Sequence, residues 1–162
     1  MRQLIFLILA LFSTFALAAE WGRFDNARFG YAIDVPPGFL RSGPAPANDD
    51  GVSMVSADGS QKLRVWGGNI VEDGFESSVR AAIGFAAREG WNITYERITP
   101  SWASFSGLRR GMVLYARSIS LCQGALYATF RLEYPEREIT RMDAVVDRLV
   151  RTLRETGDGQ SC

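Results

Sequence analysis

The sequence predicts an α+β fold, an antiparallel β-sheet packed by two main helices in a single domain. Two segments, residues 75–89 and 138–154, repeat their apolar residues at helical spacing, and most other stretches alternate with the period of a strand. Turn residues separate neighbouring strand segments, as antiparallel connections require. The order strand, hairpin, helix, four strands, helix makes a sheet packed by few helices the economical arrangement.

Ahead of this domain, residues 1–19 are a different kind of sequence. Arg2, the apolar run from Leu4 to Phe12 and the Ala16-Leu17-Ala18 ending are the three parts of a secretory signal peptide, so cleavage after Ala18 or Ala19 is expected. The run is shorter than the roughly 20 residues that cross a bilayer, and no basic stop-transfer cluster follows. Residues 20–162 are therefore expected to form one periplasmic or secreted domain with no membrane span after cleavage. The 162-residue chain holds 18 basic and 18 acidic residues, and losing Arg2 leaves one acid in excess. No bulk charge points to nucleic acid. All but one of the 18 basic residues are arginine, for which codon bias is the plainest explanation.

The first strand is "YAIDV", Tyr31 to Val35, stopped by Pro36-Pro37-Gly38. After an exposed loop at residues 41–51, "VSMVS" and "KLRVW" read as a hairpin around Asp58-Gly59, where glycine supplies the positive φ of a tight turn. Phe75, Val79, Ala82, Ile83 and Ala86 then share one helical face; Asp73 and Glu76 resemble a capping box, and Gly90 suits a left-handed C-terminal position. Strands follow at "NITYERI", a short "WASF", "RGMVLYARSISL" and "ALYATFRLEY", the last two joined around Gln123-Gly124 and ended by Pro135. In the final helix Ile139, Met142, Val145, Val146, Leu149, Val150 and Leu153 form the apolar face.

"FDNARFGYAIDVPPGF" followed by "DDGVSMVSADGSQKLRVWG" resembles the opening of the PsbP-like superfamily. The matching points are Phe29-Gly30-Tyr31, Pro36-Pro37-Gly38-Phe39, the turn at Asp58-Gly59, and Tyr134-Pro135 before the closing helix. The resemblance implies an antiparallel sheet with helices packed against it. It also implies binding or assembly work, since better-understood relatives are subunits, adaptors or chaperones. It transfers no catalytic residue, and the signal peptide departs from the cytosolic members.

The chain contains no histidine, which removes the commonest general base, the Ser-His-Asp and Cys-His arrangements and every histidine-ligated zinc site. Asp49, Asp50, Asp58, Glu72 and Asp73 could serve as paired carboxylates, but aspartate belongs in loops and turns for local hydrogen bonding as well. The spacing of Asp49 to Ser60 does not follow a calcium loop. No catalytic residue, metal site or cofactor is assigned. In an oxidising compartment Cys122 and Cys162 would form a disulfide, or remain two thiols if the terminus frays.

Two surfaces could bind a partner. Arg137, Arg141, Arg148 and Arg151 lie on one side of the last helix and could meet phosphate, anionic headgroups or an acidic partner, or form a solvated face with Asp143, Asp147 and Glu155 offsetting the charge. Trp66 shares a strand face with Lys62 and Arg64, as an interface anchor or as part of a second buried face. The expected function is non-enzymatic binding of a protein partner or envelope component. A small-ligand or metal-binding periplasmic module is the alternative, and a histidine-independent hydrolase the third choice.

Overall fold

The computed structural model describes residues 20–71 and 73–157. The segment read as a signal peptide, Glu72 and Cys162 lie outside the described residues.

Strands β1 (Gly22–Asn26) and β2 (Tyr31–Val35) form a hairpin that the short β10 (Arg154–Glu155) joins. The main sheet contains β3 (Phe39–Arg41), β4 (Gly51–Ser56), β5 (Lys62–Asn69), β6 (Asn92–Ile98), β7 (Trp102–Arg109), β8 (Met112–Leu121) and β9 (Leu126–Pro135). Its order is β3-β4-β5-β9-β8-β7-β6, with every neighbouring pair antiparallel. Helices α1 (Phe75–Arg88) and α2 (Ile139–Thr152) complete the domain, whose class is the α+β arrangement expected from sequence.

Period-two alternation gives the main sheet two apolar faces. Leu63, Val65, Leu126, Phe130 and Leu132 face one way and are buried with Tyr31 and Ile33 of the small sheet and Met142, Leu149 and Leu153 at and just beyond α2. Leu114, Ala116 and Phe105 face the other way, against Ala86 of α1 and the buried Trp91. The result is three layers with the main sheet in the middle. Packing on both faces requires close approach, which Gly67 permits: a Cβ there would lie 2.8 Å from both Phe29 Cβ and Tyr31 Cε1.

Four local features differ from the sequence expectations. The first predicted strand does not join the main sheet, because it pairs with the mostly polar "GRFDN" of β1, which carries no alternation to announce it. The capping box at Asp73 and Glu76 does not form: the N-cap is Gly74, at φ 95°, so Asp73 lies one residue too early to reach the first helical N–H groups. Glu76 instead lies 3.9 Å from Arg80 one turn on. The β8–β9 connection is a four-residue loop, 122–125, between the paired Leu121 and Leu126, with Cys122 at φ 49° and Gln123 at φ 56°, in place of a two-residue turn. Strand β7 runs to Arg109, well past the short "WASF". The C-terminus of α1 follows expectation, since Gly90 has φ 89° and the N–H groups of Gly90 and Trp91 donate to the Ala87 and Ala86 carbonyls.

Candidate functional site

The covering layers are offset. α1 packs on β6 and β7, so it leaves the β3-β4-β5 side of its face open. On the opposite face α2 packs against β2 and β8, and the β6-β7 side stays open. Each open region contains a tryptophan: Trp66 on β5 and Trp102 on β7.

All four tryptophans of the chain have at least one guanidinium over the ring, a contact to which arginine's planar cation is well suited. The near-exclusive use of arginine thus has a structural use. Two of these sets are neutralised internally. Arg148 lies 4.2 Å from the Trp21 ring and bonds Asp34 through Nε and Nη2, both at 2.8 Å. Trp91 has Arg131 at 5.7 Å, whose Nη2 reaches Glu89 at 2.9 Å and Glu133 at 2.8 Å. It also has Arg109 at 4.3 Å, which donates to the Glu89 carbonyl.

The other two sets have no carboxylate within ion-pair distance among the described residues, and they are those of the open regions. Arg64 lies 5.4 Å from the Trp66 ring. Strand pairing puts Leu40, Val55, Lys62 and Glu133 in one row across this face and Ser53, Arg64 and Arg131 in the next. Leu40 is 65% exposed. Since Arg131 is held by two acids, Arg64 remains as a cation beside an aromatic, with Lys62 next to it opposite Glu133. A cavity of about 210 Å³ lies here, lined by residues that include Val55, Lys62, Arg64 and Glu133. Drug-sized ligand pockets are roughly 300 to 1,000 Å³.

At Trp102, the guanidinium of Arg117 on β8 lies 4.1 Å from the ring centroid and that of Arg97 on β6 lies 5.4 Å from it. Arg117 Nη1 donates to Ser104 Oγ at 3.2 Å, and its buried Nε has no hydrogen-bond partner among the described residues. Burial holds the Arg117 pKa below its ordinary value, opposed by the phenols of Tyr115 and Tyr95. No single-strand pattern singles out Trp102, Arg97 or Arg117. The available signal was a repeated Tyr-x-Arg, Tyr95 to Arg97 and Tyr115 to Arg117, in the strands on either side of Trp102.

The last-helix arginines are mostly paired. Arg141 donates to Glu138 at 2.5 Å, Arg148 is held by Asp34, and Arg151 lies 3.9 Å from Asp147, while Arg137 lies in the turn before α2 and is exposed. The Arg141 hydrogen bond is the main cause holding the Glu138 carboxyl below its usual range. The ridge and the Trp66 strip are not brought together: Lys62, Arg64 and Trp66 face away from the layer that contains α2.

The acidic loop is locally engaged. The Asp49 carbonyl accepts from Asn26 Nδ2 at 2.9 Å, and the Asp50 carbonyl accepts from Gly67 N and the buried Tyr31 hydroxyl. Asp58 accepts from Ser56 Oγ at 2.6 Å and from Ser60, and these bonds hold its pKa down at about 2. Among the described residues no three acidic or cysteine side chains gather as a metal would require.

The arrangement defines a PsbP-like fold, as the sequence resemblance implied. The solved structures it matches include the cyanobacterial PsbP (CyanoP) of Synechocystis sp. PCC 6803, with a TM-score of 0.66, 12% identity and coverage of 85% of this chain and 93% of that one. They also include the Ran-binding protein Mog1p of Saccharomyces cerevisiae, at a TM-score of 0.60, 12% identity and coverage of 86% and 97%. A mutant of protein Mog1 matches at 0.62, with 12% identity and coverage of 88% and 98%. The sequence matches no protein-family model and no curated protein.

Proposed function

We propose that this protein is an exported, non-enzymatic domain that binds a protein partner or another component of the cell envelope through the strip formed by Lys62, Arg64 and Trp66. The observation that carries this reading is Arg64 lying 5.4 Å from the Trp66 ring on a sheet face that α1 leaves open, with the exposed Leu40 in the row of Lys62 on the same face. Aromatic and arginine side chains beside apolar contact area are the usual anchors of protein interfaces. A Ran-binding protein with the same fold supports partner binding as work this architecture can do. The absence of histidine from the sequence supports the non-enzymatic reading, and the cavity of about 210 Å³ at the strip favours a surface partner over an enclosed small ligand.

Export rests on the three-part pattern of residues 1–19 and carries with it a Cys122–Cys162 disulfide. Cys122 N donates to Glu155 Oε1 at 2.8 Å, so the C-terminal segment already passes the β8–β9 turn. Seven further residues span up to about 23 Å when extended, ample for Cys162 to return to Cys122. A mass measured before and after reduction and alkylation tests the bond.

A photo-reactive residue introduced at Lys62, on exported protein, tests the binding surface. The reading expects one defined crosslinked product that disappears when Trp66→Ala is added. Crosslinks that persist with Trp66→Ala, or that arise equally from position 147 on α2, would reject it.

A further inference from the structure

The open face around Trp102 is a second, separate site. Its cations are held in place by the protein: Arg117 is half-buried, stacked on Trp102 and hydrogen-bonded to Ser104, and Arg97 is exposed beside it. A partly desolvated cation without a counter-ion is unfavourable, and an apolar side chain between Tyr115 and Ile119 would avoid that cost. Among the described residues, no carboxylate lies within ion-pair distance of either arginine. The structure therefore contains a positive site with no counter-ion among the described residues.

Three observations indicate what completes it. Arg97 is exposed and Trp102 half-buried, and none of the cavities at Lys62–Arg64, at Asp73–Arg80 or at Glu89–Met112 includes Arg97, Trp102 or Arg117 in its lining. Measured through the ring they share, the two guanidinium carbons are at most about 10 Å apart. Register sets Arg97, Ser104 and Arg117 in one row across β6, β7 and β8, so a segment extended across the strands, whose alternate side chains recur every roughly 7 Å on one face, brings acids at positions i and i+2 to both arginines. Finally, β6 ends the main sheet, and its outer edge has no pairing strand among the described residues. A segment can cross onto this face over that edge, past Tyr95, which is 45% exposed, and Arg97.

We propose that Arg97, Trp102 and Arg117 form a docking site for an extended acidic segment of a partner protein, carrying aspartate or glutamate at alternate positions. The inference rests on the partner-binding reading but uses different residues on the opposite face of the sheet, so the two fail separately.

The test is fluorescence anisotropy of a labelled twelve-residue peptide of alternating glutamate and valine, at about 0.15 M salt, where long-range attraction is screened beyond roughly 8 Å. The wild-type domain is expected to bind saturably, with affinity reduced at least about tenfold by Arg117→Met and by a smaller factor by Arg97→Gln. Trp66→Ala is expected to leave peptide binding unchanged. The melting temperature of Arg117→Met is expected to equal or exceed that of the wild type, which separates lost recognition from lost folding. Arg97→Gln, at an exposed position, provides an independent readout. No saturable binding by the wild type, or equal binding by both arginine variants, would overturn the proposal. So would tighter Arg117-dependent binding of pyrophosphate or of phosphatidylglycerol vesicles, which would assign the site to phosphate. Peptide binding without any crosslinked partner at position 62 would leave this site standing and remove the Trp66 strip.

Discussion

Replacing Arg148 with alanine separates the two uses that an arginine on the last helix can have. In the structure this side chain is part of the fold: it bridges α2 to Asp34 of β2 through Nε and Nη2 and covers the Trp21 ring at 4.2 Å. The same junction is closed by Thr152, whose hydroxyl accepts from the Asp34 N–H and donates to the Arg148 carbonyl. The Arg148 side chain is 40% exposed and that of Asp34 18%, so the ion pair is screened and contributes about 0.5–1 kcal/mol. The stacking contact contributes about 0.5–1 kcal/mol more. Arg148→Ala is therefore expected to destabilise by about 1–2 kcal/mol, a melting temperature lower by roughly 3–6 °C for a domain of this size. Urea denaturation followed by circular dichroism measures it, and a double-mutant cycle with Asp34→Ala should return a coupling of about 0.5–1 kcal/mol. Zero coupling, with stability unchanged in Arg148→Ala and partner affinity lost, would refute this reasoning and make the ridge a recognition surface.

Three further outcomes are expected. Gly67→Ala places a methyl group 2.8 Å from the buried Phe29 and Tyr31 side chains and should cost about 1–3 kcal/mol by overpacking, read as a lower urea midpoint. Asp58, whose folded pKa of about 2 lies below its ordinary 3.8, contributes stability above about pH 4 that is lost as pH falls through about 2; Asp58→Ala should therefore destabilise at pH 7 and be nearly neutral near pH 2, in thermal melts across that range. Reversing charge at Arg141, a paired residue on an exposed helix face, should leave the affinity for a partner captured at position 62 unchanged by isothermal titration.

Much of this fold was legible because periodicity is a local property. The segments "KLRVW" and "ALYATFRLEY" alternate as the sheet requires, and the apolar residues of both helices repeat with the period of the face they bury. The separation of Trp66, Lys62 and Arg64 from Leu63 and Val65 was also visible in one strand. Strand β1 was not, because its register comes from β2 and its own residues are mostly polar. The absent capping box has a similar cause: Gly74, at φ 95°, takes the N-cap position ahead of Phe75, which leaves Asp73 outside the cap. The Trp102 site needed more than local pattern. Tyr95 and Arg97, Trp102, and Tyr115 and Arg117 belong to three strands, and only the register of β6 with β7 and of β7 with β8 gathers them on one face. Likewise, the arginines of α2 looked alike along the helix, whereas Asp34, more than a hundred residues earlier, determines that Arg148 is structural.

The proposed function requires that the open sheet face bearing Trp66 bind a partner while the fold stands without that contact. The direct measurement is the affinity of the partner crosslinked at position 62 for the wild type and for Trp66→Ala, with urea stability measured on the same samples. A buried aromatic anchor at an interface costs about 2 kcal/mol or more when truncated, so the account predicts at least about a thirtyfold loss of affinity with the urea midpoint nearly unchanged. Equal affinities would contradict it, as would a loss of binding that merely follows unfolding of the variant.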